Sequence, residues 1–382
     1  MNKNIVQTLL LLIFVSLFIS ACNSKTELPF TLSEGNRIVL EADVNGKRGR
    51  YFWDTGSFVS LVNCKTDNLK VAYYGSLALS SASNNLTYYT LNKIKINNKV
   101  LYTESEVCKV TDSLQEKVLI PEGLDGLLGI NIFEGYWCEV NFEKLKIILT
   151  KNKPENFKQS VSTTLENNYL TITADIDGIA TRFVIDTGFN LTMGFPDSIL
   201  QKKTKTDIFT VATSEIRDYS LIHINEISLF NKNISNRYVL TNTPYSQIGI
   251  SGGYGVIGLN FLKNYNLLFD LTSLRLLKTT DIYYQPINTM PKFMDLMGKI
   301  PESGIINAYR IPEGLKILYI MKEKQLYQKG VLSNSIITKV NNIAIADYSP
   351  KQVVDMLNTI GTTVLITVMT NNIEKDIEYI IR

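Results

Sequence analysis

The tripeptide Asp54-Thr55-Gly56 recurs as Asp186-Thr187-Gly188, inside a longer duplication that dictates how the chain must be organised. Ala42-Asp43-Val44-Asn45-Gly46 through Arg50-Tyr51-Phe52-Trp53-Asp54 aligns without gaps on Ala174-Asp175-Ile176-Asp177-Gly178 through Arg182-Phe183-Val184-Ile185-Asp186. A second block, Gly126-Leu127-Leu128-Gly129-Ile130-Asn131-Ile132-Phe133, returns as Gly255-Val256-Ile257-Gly258-Leu259-Asn260-Phe261-Leu262, and one small indel separates the two registers. A unit of about 130 residues is too long for a solenoid repeat and has the size of a lobe. Two homologous lobes are expected, each delivering one Asp from the end of an apolar run.

With 382 residues, 45% of them apolar and 20% charged, the chain can bury a core and form two or three domains. The formal charge is +3 with Lys and Arg scattered, so no electrostatic footprint for nucleic acid is present. A single histidine, His223, leaves little room for Ser/His/Asp or Cys/His catalysis and less for a His-rich metal site. Hydrolysis by this chain would have to be run by carboxylates, with no metal or organic cofactor expected.

The first residues hold Lys3, an apolar stretch from Leu9 to Ile19 broken only by Ser16, and small residues before Cys22. The stretch is shorter than the roughly 18 residues of a spanning helix and reads as a signal peptide over 1–21. Ile19-Ser20-Ala21-Cys22 resembles the bacterial lipobox, which implies Cys22 as the lipidated first residue of an exported, periplasmic or cell-envelope lipoprotein held to a membrane by its lipid. Cys64, Cys108 and Cys138 remain. One pair bridging and all three staying buried thiols are both open.

Between Leu32 and Thr279, short β-rich runs alternate with Asn, Gly and Asp turns, and helical periodicity is scarce, which predicts an all-β body. The polar stretch Lys151 to Ser160, with Pro154, reads as a linker between lobes over 22–155 and 156–285. A different pattern occupies 290–382. There Ser349 caps a helix opened by Pro350, with Val353, Val354 and Leu357 as its apolar face and Gly361 as its stop.

Each apolar run anchors its Asp in the core, while the Gly after Thr opens backbone conformations closed to other residues and lets a neighbouring chain approach. Two such carboxylates at one site cannot both ionise easily. The pair shares a proton and titrates as a unit. One Asp can then take a proton from water while the other gives one to a carbonyl or leaving group.

Asp54-Thr55-Gly56-Ser57, with Leu127-Leu128-Gly129 and Val256-Ile257-Gly258 as second signatures, resembles the pepsin and retroviral-protease clan, most closely a bacterial retropepsin-like aspartyl protease, over roughly residues 32 to 280. The resemblance implies a mainly β, bilobal pair of pepsin/retropepsin-like β-barrels in one chain. It implies Asp54 and Asp186 as catalytic residues around a water, with Thr55, Gly56, Ser57, Thr187 and Gly188 supporting the loops. The threonines would bond across the lobe interface and Ser57 would bond the Asp54 carboxylate. Phe189 stands where Ser or Thr often follows the Gly, and it cannot supply a hydroxyl to Asp186. Hairpins at Leu79 to Thr90, with its tip at Ser81 to Asn85, and at Thr210 to Ile222, with its tip at Ser214 to Asp218, are candidates to fold over a bound strand.

Tyr327 to Asn342 is similar to a PDZ segment, with Ser335 for the usual Asp and Asn342 for the usual Gly, which implies a small α+β PDZ-like domain. Such a domain binds extended peptide at a sheet edge and commonly captures a terminal carboxylate, for which Pro312-Glu313-Gly314 is the candidate loop. Taken together, these features predict an aspartic endopeptidase acting on polypeptide, for which a monomer suffices. The rival is an inactive peptide-binding lipoprotein of protease-derived fold.

Overall fold

A computed structural model describes residues 25–33, 37–63, 70–79, 82–90, 94–96, 99–101, 106–109, 120, 123–166, 168–200, 208–213, 218–241, 253–273, 279–287 and 300–381. The predicted signal peptide, Cys22, Cys64 and the side chain of Cys108 lie outside the described residues. Cys138 is a free, buried thiol, and burial raises its pKa well above the usual range.

The fold is mainly β, as the strand pattern predicts. Its repeated unit starts from a hairpin whose turn chemistry is legible in the sequence. Asn45-Gly46 and Asp177-Gly178 all take positive φ, the geometry of the tight turns that suit twisted strands. Asp43 and Asp175 each accept the N–H of the turn glycine, at 2.6 and 2.9 Å. The hairpins join Ile38–Val44 to Lys47–Asp54 and Tyr169–Ile176 to Ile179–Asp186. Along Lys47–Asp54 the alternation places Tyr51 and Trp53 in the main core and Phe52 in a smaller apolar cluster on the other face.

The signature strands Gly126–Gly129 and Gly255–Gly258 then insert parallel to the Asp-bearing strands, with Gly129 opposite Asp54 and Gly258 opposite Asp186. Each passes under its loop. A Cβ on Gly129 would stand 2.8 Å from the Ser57 carbonyl oxygen, and one on Gly258 would stand 2.1 Å from that of Leu191. Only glycine fits.

Between the halves, six antiparallel strands run in the order Thr26–Pro29, Lys146–Thr150, Trp137–Asn141, Tyr265–Asp270, Thr279–Pro286 and Gln159–Glu166. The centre of this sheet pairs Trp137–Asn141 with its repeat equivalent, so the approximate twofold axis passes through it. Trp53 packs edge-on against Phe269 at 5.8 Å between ring centroids, which ties the first Asp-bearing strand to a strand of the second repeat.

The first hairpin pairs Lys70–Leu79 with Ala82–Thr90, and Leu79 stands opposite Ala82. The expected tip Ser81 to Asn85 is therefore largely strand, and residues 80 and 81 lie outside the described residues. Ser83, Asn84 and Asn85 are drawn into the ladder, because a two-stranded ribbon asks only for backbone pairing. The second hairpin pairs Ile208–Thr213 with Tyr219–Leu229, as expected, and residues 214–217 of its tip lie outside the described residues.

The C-terminal region has its own core around Ile317, Ile320, Leu326, Val331, Ile337, Val340 and Ile366. Ser349 and Gln352 close a reciprocal capping box on the helix Pro350–Asn358, whose Val353 and Leu357 are buried. Asn341 and Asn342 both take left-handed backbone. Ser335 is fully buried, accepts the Leu332 N–H at 3.0 Å and hydrogen-bonds Thr370 at 2.7 Å. Pro312 and Glu313 form the tight turn between Ile305–Ile311 and Gly314–Met321. Gly314 is pressed against the Ile337 carbonyl oxygen, which a Cβ would meet at 2.2 Å. That segment reverses a chain rather than forming an open carboxylate loop, because Ile311 and Gly314 are ladder partners.

Strand Gly314–Met321 also pairs antiparallel with Ile208–Thr213 of the second hairpin, Val211 opposite Met321 and Thr213 opposite Tyr319. The Lys322 N–H bonds the Thr210 carbonyl at 2.9 Å, Glu323 accepts the Thr210 N–H at 2.8 Å, and Lys322 ion-pairs with Asp218. Leu191, Val211, Tyr219, Leu221, Leu240, Ile306, Tyr319 and Met321 bury one another at this junction, with Phe189 packed against them. Truncating Met321 to Ala should cost about 2–5 kcal/mol in urea denaturation. Hydrogen exchange should then rise at 208–213 as well as at 314–321; exchange rising only within 314–321 would mean that the docking is not held there.

Candidate active site

The two Asp-Thr-Gly loops meet tip to tip. Thr55 donates its hydroxyl to the Ile185 carbonyl at 2.8 Å, and Thr187 donates its own to the Trp53 carbonyl at 2.8 Å. Each hydroxyl also accepts the other loop's threonine N–H, both at 3.0 Å. Thr55 is 1% and Thr187 0% exposed, so the four bonds are made away from water. All are reciprocal under the repeat, as expected for a twofold contact.

This grip sets the carboxylates side by side. Asp54 and Asp186 hydrogen-bond one another through their side chains. Asp54 accepts the Gly56 N–H at 2.8 Å, and Asp186 accepts the N–H groups of Gly188 at 2.7 Å and Phe189 at 2.9 Å. Gly188 lies directly on its partner's carboxylate, since a Cβ there would sit 2.5 Å from the Asp54 Cγ. Burial pushes the Asp54 pKa well above the usual carboxylate range, and the neighbouring Asp186 charge and hydrogen bond add to this. The Gly56 N–H and the positive charge of Arg37 pull the other way. The balance favours the protonated form of Asp54.

Asp54, Asp186, Thr55, Gly56, Thr187 and Gly188 thus come together. Ser57 does not take the role the resemblance implied. Its hydroxyl donates to the Val59 carbonyl two residues on, at 2.6 Å, a local bond that competes with a reach back to Asp54. On the other side, the backbone N–H of Phe189 serves Asp186 in place of the missing hydroxyl, while its ring packs into the C-terminal junction. His223 faces Tyr238 across the hairpin at 5.1 Å between rings and takes no part in the site.

Two groups facing the dyad were missed in the sequence. Arg37 stands beside the first Asp-bearing strand, its guanidinium carbon over the Phe52 ring at 5.5 Å. Tyr169 has its phenol pKa raised by burial, with the Asp186 and Asp54 charges adding to it. Their equivalence was legible, because both fall at matching places just before the aligned repeat, but their facing the carboxylates was not. Among the described residues, no cluster of three or more His, Cys, Asp or Glu could hold a metal ion.

No family model matches the chain. No curated protein matches it either. Among solved structures it is similar to the aspartic proteinase from Irpex lacteus, at 13% sequence identity and a TM-score of 0.45, over 70% of this chain and 99% of that one.

Replacing Thr187 with Val should destabilise the protein by roughly 1–3 kcal/mol for each buried group left unpaired. A double-mutant cycle with Thr55→Val should reveal strong coupling, whereas additive effects would deny the reciprocal grip. Asp54→Asn should raise Tm by a few degrees at neutral pH. The sign follows from linkage. A folded-state pKa above the unfolded value of about 3.9 means that stability is intact below that value and lost as pH rises towards the folded pKa. The gain on substitution should therefore grow from acid to neutral pH, and a gain independent of pH would contradict a buried, proton-sharing Asp54.

Proposed function

We propose that this chain is an aspartic endopeptidase of the pepsin and retropepsin clan, exported and tethered through Cys22. The observation that carries the reading is the hydrogen-bonded pair Asp54 and Asp186, with a raised Asp54 pKa, at the crossing of two threonine-locked loops. A water between the two carboxylates gives a proton to the ionised Asp as its oxygen attacks the peptide carbonyl carbon. The protonated Asp donates to the carbonyl oxygen, forming a gem-diol. When that intermediate collapses, a proton passes from the dyad to the departing amine. The reaction needs no covalent enzyme intermediate and no cofactor.

Supporting this reading, the loops are held by backbone donors and by the partner loop, so the carboxylates are positioned before substrate arrives. The substrate is an extended polypeptide strand lying beneath the first hairpin. The C-terminal region, read as PDZ-like, covers the second hairpin, and its own peptide-binding capacity belongs to the same proposal.

A second reading, peptide binding without cleavage, is favoured by one observation. Neither Ser57 nor Phe189 offers a hydroxyl to its Asp. The decisive experiment is a peptide-library digest by the mature protein beside Asp54→Asn and Asp186→Asn. Cleavage by the parent, reduced on the order of 10²–10⁴-fold in each variant, is the expected result. The kcat/KM profile should be a bell whose alkaline limb, where the shared proton leaves, lies above the ordinary aspartate range. Peptide binding without hydrolysis in all three proteins would establish the second reading.

A further inference from the structure

The duplicated lobes are not chemically equal around the dyad. In the first lobe Val39 pairs with Phe52, and continuing that antiparallel register by two residues sets Arg37 opposite Asp54. In the second lobe Thr171 pairs with Val184, and the same step sets Tyr169 opposite Asp186. Residues directly opposite on neighbouring strands share a face and are close neighbours. Arg37 and Tyr169 are therefore equivalents under the duplication, one cationic and one neutral, each beside its own carboxylate.

Arg37 is anchored beside the dyad. Its backbone is fixed, its N–H bonding the Ser33 hydroxyl at 3.1 Å and its carbonyl accepting the Ser33 N–H at 3.0 Å. Its guanidinium lies over Phe52, and its Nε is buried with no hydrogen-bond partner among the described residues. A guanidinium carries five donors in a planar fork suited to a carboxylate, and a native fold rarely leaves a buried donor unanswered. Burial disfavours its charge, while Tyr319 and Tyr309 of the C-terminal region join Asp54 and Asp186 in favouring it. The two carboxylates are engaged with each other and with loop N–H groups. The buried Nε of Arg37 is left as an unanswered donor beside the dyad, suited to an incoming anion.

We propose that Arg37 forms a carboxylate-recognition subsite beside the dyad, so that the preferred substrate carries a carboxylate within one or two residues of the scissile bond. This rests on the peptide-hydrolysis reading and narrows it to a substrate class. The carboxylate can belong to an acidic side chain or to a chain terminus, and both present the same planar pair of oxygens. Tyr309 and Tyr319, brought in by the docked C-terminal region, lie within electrostatic range of the guanidinium. The subsite is thus assembled from the first lobe and the C-terminal region together.

The test uses matched peptides with Glu or Gln at each position flanking the cleaved bond, and matched peptides ending in a free carboxylate or an amide. Wild type, Arg37→Gln and Arg37→Lys are compared, each checked for folding by its thermal transition. Wild type should favour the acidic member of at least one pair by roughly ten- to a hundredfold in kcat/KM, as expected for a charge-assisted bond. That ratio should collapse towards unity in Arg37→Gln and fall to an intermediate value in Arg37→Lys, which keeps the charge and loses the fork. The Glu/Gln and acid/amide sets separate the two sources. Equal rates on acidic and neutral partners in wild type, or a preference that survives Arg37→Gln, overturns the subsite. If wild type cleaves no peptide, the same pairs are compared by equilibrium binding. An acid preference lost in Arg37→Gln then upholds the subsite while the hydrolytic reading fails, and no preference overturns the subsite.

Discussion

The reciprocal clasp of Thr55 and Thr187 is the interaction on which the rest of the site depends. Two like charges repel and are costly to bury, so nothing intrinsic to Asp54 and Asp186 would bring them together. Four hydrogen bonds between the loops, made without water, hold the pair in place and leave one proton to relieve the repulsion. The close fit of Gly188 on the Asp54 carboxylate belongs to the same contact, because any side chain there would drive the lobes apart. Stability spent at this junction is what makes a paired-carboxylate site available.

Symmetry built the frame, and departures from it adapt the site. Arg37 and Tyr169 occupy equivalent positions with different charge. Ser57 and Phe189 follow equivalent glycines but do different work, the first stabilising its own turn and the second joining the packing at the C-terminal junction. A bulky apolar residue after the second Asp-Thr-Gly is surprising in isolation. It makes sense beside Leu191 and Tyr319, where the ring has an apolar surface to cover, while its backbone still serves Asp186.

The C-terminal region is attached by the means any exposed strand edge invites. Ile208–Thr213 would otherwise present an unpaired edge, and Gly314–Met321 completes it with backbone bonds, an ion pair and a shared apolar cluster. The hairpin of the second lobe is thereby committed to its own chain. The hairpin Lys70–Leu79 with Ala82–Thr90 has no such pairing to the C-terminal region among the described residues. The halves of one duplication are consequently not equivalent at their hairpins.

What the sequence determined was local and periodic. It contained the repeat, the Asn-Gly and Asp-Gly turns, the apolar runs ending in Asp-Thr-Gly, the glycines of the second repeated block, and the Ser349 cap with Pro350 after it. Each of these is a property of a few consecutive residues or of one segment compared with its copy, and the β-rich fold class followed from them. Tertiary structure alone decided where side chains with several available partners went. Ser57 turned to Val59, Pro312 and Glu313 became a hairpin turn, Arg37 and Tyr169 came to face the dyad, and a strand over 300 residues into the chain docked on the second hairpin. Those outcomes depend on competition between near and distant partners, and a linear chain does not record which partner the fold brings within reach.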